Sequence, residues 1–461
     1  MNPDKSTMET ITVPELVKKI NQFAGALFGN LLENNSGENL VFSPYSVFTL
    51  LMLAADASAG KTHTEITQTV LNRLRFDPSL AALRDIQDQL MKETAFSSAN
   101  AVIVRADKKD TVNPDYPDHL REIFNGELFA GENSVQTVNE WACRNSNGMI
   151  RDLADDSTKE SLVCLLNACT FLSGWEKKYK DISVQYSDFH NQCGSVSRVA
   201  MLNSYERTYI ENKFFIGFAK PYAGDAFSYI VLLPKNGMQF TKEALESIDY
   251  SCCLCGQTNT IAKVIMPEFQ VSSDYDLIDI CKKLGIRTIF TPQADFSPMT
   301  SDWLKAEAVR HKAHIKVDRA GTEAAAVAAM HMRVGGIPTR FPEEKEVIVD
   351  RPFIYAIVHH GTGLPVFAGM VNCLESVKLR KEQEKPMTKE TAIKLARECA
   401  ENNGPILGIK EYDDIFVITF VKGWDTIIVN KSTGKAVWEQ DLPEEEAIRI
   451  ARRPFTPHYK P

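Results

Sequence analysis

Apolar side chains between residues 14 and 33 (PELVKKINQFAGALFGNLLE) recur every three or four positions, which predicts a helix with one buried face. Pro14 suits its first turn. Residues 40–56 read as a short strand, a Ser-Pro start and a second apolar helix. Helical stretches then alternate with a strand-like run from Leu162 to Leu172, and residues 207–235 have strand character up to a Pro-Lys-Asn-Gly turn. Residues 261–269 predict a strand and 275–286 a helix with Gly285 near its end. Residues 313–318, 346–350, 353–360 and 365–372 predict further strands, the last two joined by Gly-Thr-Gly. Strands and helices mix without a regular βαβ rhythm, so the pattern is α+β.

The pattern breaks after Glu375. Residues 377–387 (VKLRKEQEKPM) are charged and nearly devoid of large apolar groups, as a linker is. Folded patterning resumes at 388–461, a length able to fold alone. Thr388 is placed to cap a helix with Ile393, Ala396 and Cys399/Ala400 on one face, and Gly404 to end it. Residues 415–420 and 426–430 predict strands joined by Lys-Gly-Trp, and NKSTG (430–434) a turn into 435–439, with a short helix after Pro443. The expected division is 10–376, a linker at 377–387, and a small α+β domain at 388–461.

Composition narrows the function. Of 461 residues, 44% are hydrophobic and 24% charged, as in an ordinary globular protein. Lys and Arg number 52 against 60 Asp and Glu, a net charge of −8. That balance argues against nucleic acid or an anionic membrane as partner. Ten cysteines lie scattered without a repeated spacing, which suggests reduced thiols. The first residues carry no apolar stretch resembling a signal peptide, and Leu40–Ala57 is interrupted by Pro44, so a cytoplasmic location is expected, with unconventional release left open. No G-x-S-x-G, P-loop or G-x-G-x-x-G occurs.

The informative segment is 311–353, HKAHIKVDRAGTEAAAVAAMHMRVGGIPTRFPEEKEVIVDRPF. Alanine strings ordinarily mean helix, which is one reading of 322–330. The other is that a run of small side chains slides between two strands without clashes, with Gly321 as a hinge. The hinge GTEAAAVA resembles that of the serpin family. Five further segments resemble that family in the right order: FSPYSV (42–47), NACTFLSGW (167–175), SYIVLLPKNG (228–237), ADFSPMT (294–300) with VRHKAHIKVD, and RPFIYAIVHHGTGLPVFAGMVNCLE (351–375). The resemblance runs from about Val13 to Glu375. It implies three β-sheets with surrounding helices and an exposed reactive loop.

It also implies a mechanism. A serine or cysteine protease cuts the exposed loop and is held as an acyl-enzyme while the loop inserts into the main sheet. The protein would then be a monomeric inhibitor and not an enzyme, with no cofactor and no metal. The alternative is a non-inhibitory serpin acting as a binding or chaperone-like protein. The hinge would comprise Gly321, Thr322, Glu323, Ala324, Ala325, Ala326, Val327 and Ala328, with Thr322 outside the sheet until cleavage. Ser43, Ser46, Asn167 and His311 match the polar cluster that resists sheet opening, and Trp175 the tryptophan where the loop begins to enter. One position departs: Arg319 stands where inhibitory members carry Glu, which favours the non-inhibitory alternative. Counting along the loop puts the cut at Gly335–Gly336, suited to an elastase-, subtilisin- or papain-like protease. Arg333–Val334 and then Arg340–Phe341 are trypsin-like alternatives.

The residual candidates are weaker. Cys252, Cys253 and Cys255 lack a partner pair for zinc and read as packed or solvent-facing thiols. His311 and His314 lie three apart on a strand and face opposite ways. His359 and His360 read as solvated. The C-terminal segment resembles in outline a PepSY-like module, of a kind associated with peptidase regulation; a solubility or localisation appendage is the plainer reading.

Overall fold

The helix at Val13–Asn34 opens at Thr12, whose N–H and hydroxyl both bond to the Glu15 carboxylate at 3.0 Å. Its apolar face (Leu16, Ile20, Phe23, Leu27, Leu31) is buried, as the 3.6-residue period requires. The structure is a computed structural model. It describes residues 11–71, 80–131, 134–180, 183–235, 238–322, 342–377, 387–400, 406–412, 414–420, 426–431 and 436–438.

Three sheets build the larger part. A seven-stranded sheet runs 126–130, 96–104, 163–171, 306–317, then the short pieces 321–322 and 173–174, with 269–276 along the other side of 306–317. A six-stranded sheet runs 40–42, 365–371, 353–359, 227–234, 215–221, 208–211. A four-stranded sheet runs 343–348, 260–267, 196–206, 184–190. The main core lies between the first two sheets, with the helix at Pro44–Asp56 almost wholly buried in it. A second apolar layer, Trp141 and Val138 of the helix Ser134–Asn145, covers the opposite face of the seven-stranded sheet against Ile103 and Leu166.

A fourth sheet, 406–411, 415–420, 426–430 and 436–438, carries the helix Lys389–Ala400. Thr388 caps this helix, accepting from the Thr391 N–H at 3.2 Å. Ala392 and Ala396 are buried against Phe416, Ile418, Phe420, Ile427 and Val429, with Ile393 and Cys399 packed alongside. These residues form an apolar cluster of their own, as an appended α+β unit should. Asn430 reaches the four-stranded sheet, its Nδ2 donating to the Val184 carbonyl at 2.8 Å. Most of the expected linker, Gly404, the 422–424 connection, residues 432–434 and the helix after Pro443 lie outside the described residues.

Two expectations are corrected. Residues 275–286 are not one helix: Tyr275 and Asp276 close the strand 269–276, and the helix is Ile278–Leu284. Burial alternates along that strand through Phe269, Val271 and Tyr275, the period of two. Gly285 does end the helix, in the left-handed region at φ +113°. His359 is not solvated but buried, with Nδ1 3.0 Å from the Thr362 hydroxyl, and burial lowers its pKa to about 4. His360 is half-buried and meets the Ser228 hydroxyl at 2.9 Å.

Candidate functional site: the opening of the seven-stranded sheet

Strands 163–171 and 306–317 run parallel and are paired from Ala306–Val163 up to Lys312–Ala168. Above that point their shared ladder stops. At the top, Gly321–Thr322 sits between 306–317 and the short piece 173–174 that follows 163–171, antiparallel to both: Thr322 opposes Val317 on one side and Ser173 on the other, and Gly321 opposes Gly174.

Thr322 is therefore already in the sheet, fully buried, which corrects the expectation that it waits outside. The reason is local. Asp318 folds the chain back on itself: its Oδ1 accepts from the N–H groups of Ala320 (2.7 Å) and Gly321 (3.3 Å), and its N–H donates to the Gly321 carbonyl (3.0 Å). The Trp175 indole donates to the Asp318 carbonyl at 2.8 Å, and the Trp175 N–H to the Ala320 carbonyl at 3.1 Å. Trp175 stacks on Tyr222 at 4.6 Å, and the Tyr222 hydroxyl hydrogen-bonds to that of Thr322.

Arg319 is held at the root of this turn. Its backbone N–H and Nε each lie 3.1 Å from Glu268 Oε1, and its Nη2 lies 3.3 Å from Oε2. Its carbonyl accepts from the Tyr179 N–H at 3.0 Å. The positive charge that departs from the family pattern thus has a carboxylate partner. Below, Lys220 and Glu206 form a buried ion pair at 2.7 Å, with Lys220 over the Tyr179 ring at 4.5 Å and Ser204 donating to Glu206 at 2.6 Å. Glu268, Tyr222, Glu206 and Lys220 escaped the sequence reading, since nothing local distinguishes them.

Halfway down the sheet, where the two strands meet, lies the polar cluster. Ser43 caps the buried helix through the Ser46 N–H (3.1 Å) and donates its own N–H to His311 Nε2 (3.0 Å). An acceptor at Nε2 places the proton on Nδ1, which donates to Asn167 Oδ1 at 3.2 Å. Asn167 Nδ2 donates to the Ala99 carbonyl (3.2 Å) and Asn100 Oδ1 (3.0 Å). Ser46 links Ser43 and Ser98, hydroxyl to hydroxyl, at 2.8 Å each. Ser43, Ser46, Asn167 and His311 are all buried, and burial pulls the His311 pKa down to about 3, keeping the ring neutral. His314 faces the other way, toward Ser272. The five residues expected to control sheet opening thus divide between two places, Trp175 at the top and the other four at mid-height.

Glu323 to Ala328 of the hinge, and the scissile candidates Arg333, Val334, Gly335, Gly336, Arg340 and Phe341, lie outside the described residues. Among the described residues no three His, Cys, Asp or Glu side chains come together to hold a metal ion, and no helix is long and apolar enough to cross a membrane.

Known proteins share this architecture. The serpin (serine protease inhibitor) family model matches residues 18–374. Alpha-1-antiproteinase 2 of Equus caballus is 25% identical over 387 residues, covering 80% of this chain and 89% of its own. The native-state crystal structure of the thermophilic serpin tengpin aligns with a TM-score of 0.67 and 26% identity, over 81% of this chain and 96% of that one. Thyroxine-binding globulin in complex with thyroxine shares the fold at 22% identity and a TM-score of 0.63, over 78% of this chain and 99% of that one. The sheet of 406–438 lies beyond the family match. The chain belongs to the serpin family, whose members are for the most part protease inhibitors and not enzymes.

Proposed function

We propose that this protein is a monomeric inhibitor of a serine or cysteine protease that traps its target by loop insertion. The observation that carries the reading is the register at the top of the seven-stranded sheet. Continuing the antiparallel pairing of Thr322 with Val317 and Ser173 sets Ala324 between Ile315 and Phe171. It sets Ala326 between Ala313 and Cys169, and Ala328 between His311 and Asn167. The strand residues at all these positions are buried on the core side, as Thr322 is. The positions that would face the core are therefore alanines, which enter a packed layer without clash. The fit is consistent within the sheet, because His311 and Asn167 already oppose each other there.

In this reading the protease nucleophile attacks the carbonyl of Gly335, the Gly335–Gly336 bond breaks, and Gly336 leaves as a protonated amine. Gly335 stays esterified, or thioesterified, to the enzyme. Residues from Glu323 onward zip down the sheet and carry the acyl-enzyme with them. The His311–Asn167 bond must part when Ala328 arrives, so the polar cluster sets the barrier to premature insertion. Arg319 does not oppose the movement, because its charge is matched by Glu268 outside the path.

The test is incubation with elastase-, subtilisin- and papain-like proteases followed by denaturing gel electrophoresis. An SDS-stable adduct whose mass equals protease plus the chain cut near residue 335 is expected for at least one. Clean cleavage by every protease that cuts the loop, with no adduct, would establish the non-inhibitory alternative.

A further inference from the structure

The four-stranded sheet ends in a tight turn, Asn191–Ser195, between strands 184–190 and 196–206. That turn is clamped to the segment following the last strand of the six-stranded sheet. The Gln192 N–H donates to the Asn372 carbonyl at 2.9 Å. The Leu374 N–H donates to Asn191 Oδ1 at 2.8 Å, and the Ser197 hydroxyl donates to the Leu374 carbonyl at 2.6 Å. Two thiols flank this clamp: the Cys193 sulfur lies 3.1 Å from the Ser195 hydroxyl, and the Cys373 sulfur lies 3.9 Å from the Gly37 carbonyl. Cys193 is exposed and Cys373 half-buried.

We propose that Cys193 and Cys373 form a reversible thiol–disulfide site that exchanges with a small disulfide such as oxidised glutathione. The site stands apart from the protease-trapping reading. The hydrogen bonds from residues 191, 192 and 197 to 372 and 374 hold the two cysteine-bearing segments side by side, the placement that a disulfide's short Cα separation of about 4.4–6.8 Å demands. The Ser195 hydroxyl, its N–H and Cys373 hold the Cys193 thiol below its ordinary pKa, which favours the attacking thiolate. Other thiols are less suited. Burial pushes Cys164 up to about 11 and Cys169, Cys253 and Cys281 to about 12. Exposed Cys252 is raised by its contact with Asp249.

The chemistry balances. The Cys193 thiolate attacks one sulfur of oxidised glutathione and displaces one glutathione thiolate, which takes up the proton Cys193 has lost. The Cys373 thiolate then attacks the Cys193 sulfur of the mixed disulfide. The intramolecular bond closes, and the second glutathione leaves and is protonated in turn. Two cysteine thiols lose two electrons, and one glutathione disulfide becomes two thiols. The product ties the hairpin 184–206 to the chain leaving strand 365–371.

The test uses the full chain, equilibrated with mixtures of oxidised and reduced glutathione, alkylated, digested without reduction and analysed by mass spectrometry. In oxidising mixtures a linked Cys193–Cys373 peptide two hydrogens lighter should accumulate, and vanish with excess reduced glutathione. Cys373→Ser should instead accumulate glutathione on Cys193, and Cys252 should remain reduced at the same ratio. The proposal is overturned if wild type retains glutathione on Cys193 without the linked peptide, if Cys193 links to another cysteine, or if both thiols stay reduced in oxidised glutathione alone.

Discussion

In the proposed mechanism His311 is the side chain that gates the sheet. Its ring is neutral because it is buried, and each nitrogen has one role: Nε2 accepts from Ser43, Nδ1 donates to Asn167. Protonation would remove the acceptor. The folded-state pKa, about 3, lies below the ordinary histidine value of 6.5, so the unfolded chain binds the proton first as pH falls. The contribution is complete above pH 6.5 and is lost on the way down toward pH 3, at up to ~1.4 kcal/mol per pH unit. Urea midpoints between pH 7 and 4.5 should fall more steeply for wild type than for His311→Gln, which cannot titrate; parallel slopes would remove His311 from this role. Thr322 belongs to the same scale. Thr322→Arg places a charge in a buried seat, at a cost of several kcal/mol if it stays there. The hinge should therefore leave the sheet and fail to return. The variant should be cut at the same bond, with a complex-to-cleaved ratio lowered by roughly tenfold or more, about 1.4 kcal/mol of partitioning.

At the scale of elements, the turn 318–322 is fixed by contacts from four different strands and loops. Its ion pair with Glu268 can be tested by charge reversal. Arg319→Glu sets two carboxylates together and should loosen the turn, seen as faster amide exchange at Thr322; Glu268→Arg in the same chain should restore protection. Independent, additive effects of the two changes would dissociate the pair from the turn. The Lys220–Glu206 pair beneath it is buried, so Glu206→Gln leaves an uncompensated charge and should destabilise by about 3–5 kcal/mol in denaturant unfolding. How much of this was readable in advance follows from distance along the chain. The Ser-Pro start of the buried helix and the opposite facing of His311 and His314 are local patterns, whereas the grouping of Ser43, Ser46, Asn167 and His311 into one cluster is legible only through the family resemblance. The partners that seat the hinge, Tyr222 and Glu268, lie 100 and 51 positions from the residues they bond, Thr322 and Arg319, and match no motif. Arg319 looked like an impediment because its carboxylate was invisible in the linear order. Tyr275 was misread as helical because the apolar positions of a short strand followed by a short helix imitate one longer helical stripe.

For the whole molecule, the proposed mechanism reads the sheet as arrested part-way. Its two central strands are zipped below Lys312–Ala168, and its top is wedged by two residues of the loop that would complete it. The appended unit has its own apolar cluster, so a chain ending near Leu379 should still fold and still trap protease; insoluble protein would show that the 406–438 sheet belongs to the serpin core. The central claim, that the loop is a strand held back, is tested most directly by clipping it between about 330 and 345 with a protease and melting the product. Insertion would add on the order of ten backbone hydrogen bonds, each worth ~0.5–1.5 kcal/mol net, and in a large domain each kcal/mol moves Tm by about 2–4 °C. The clipped protein should therefore melt at least roughly 10 °C above the intact one. Identical melting curves before and after clipping would contradict the account.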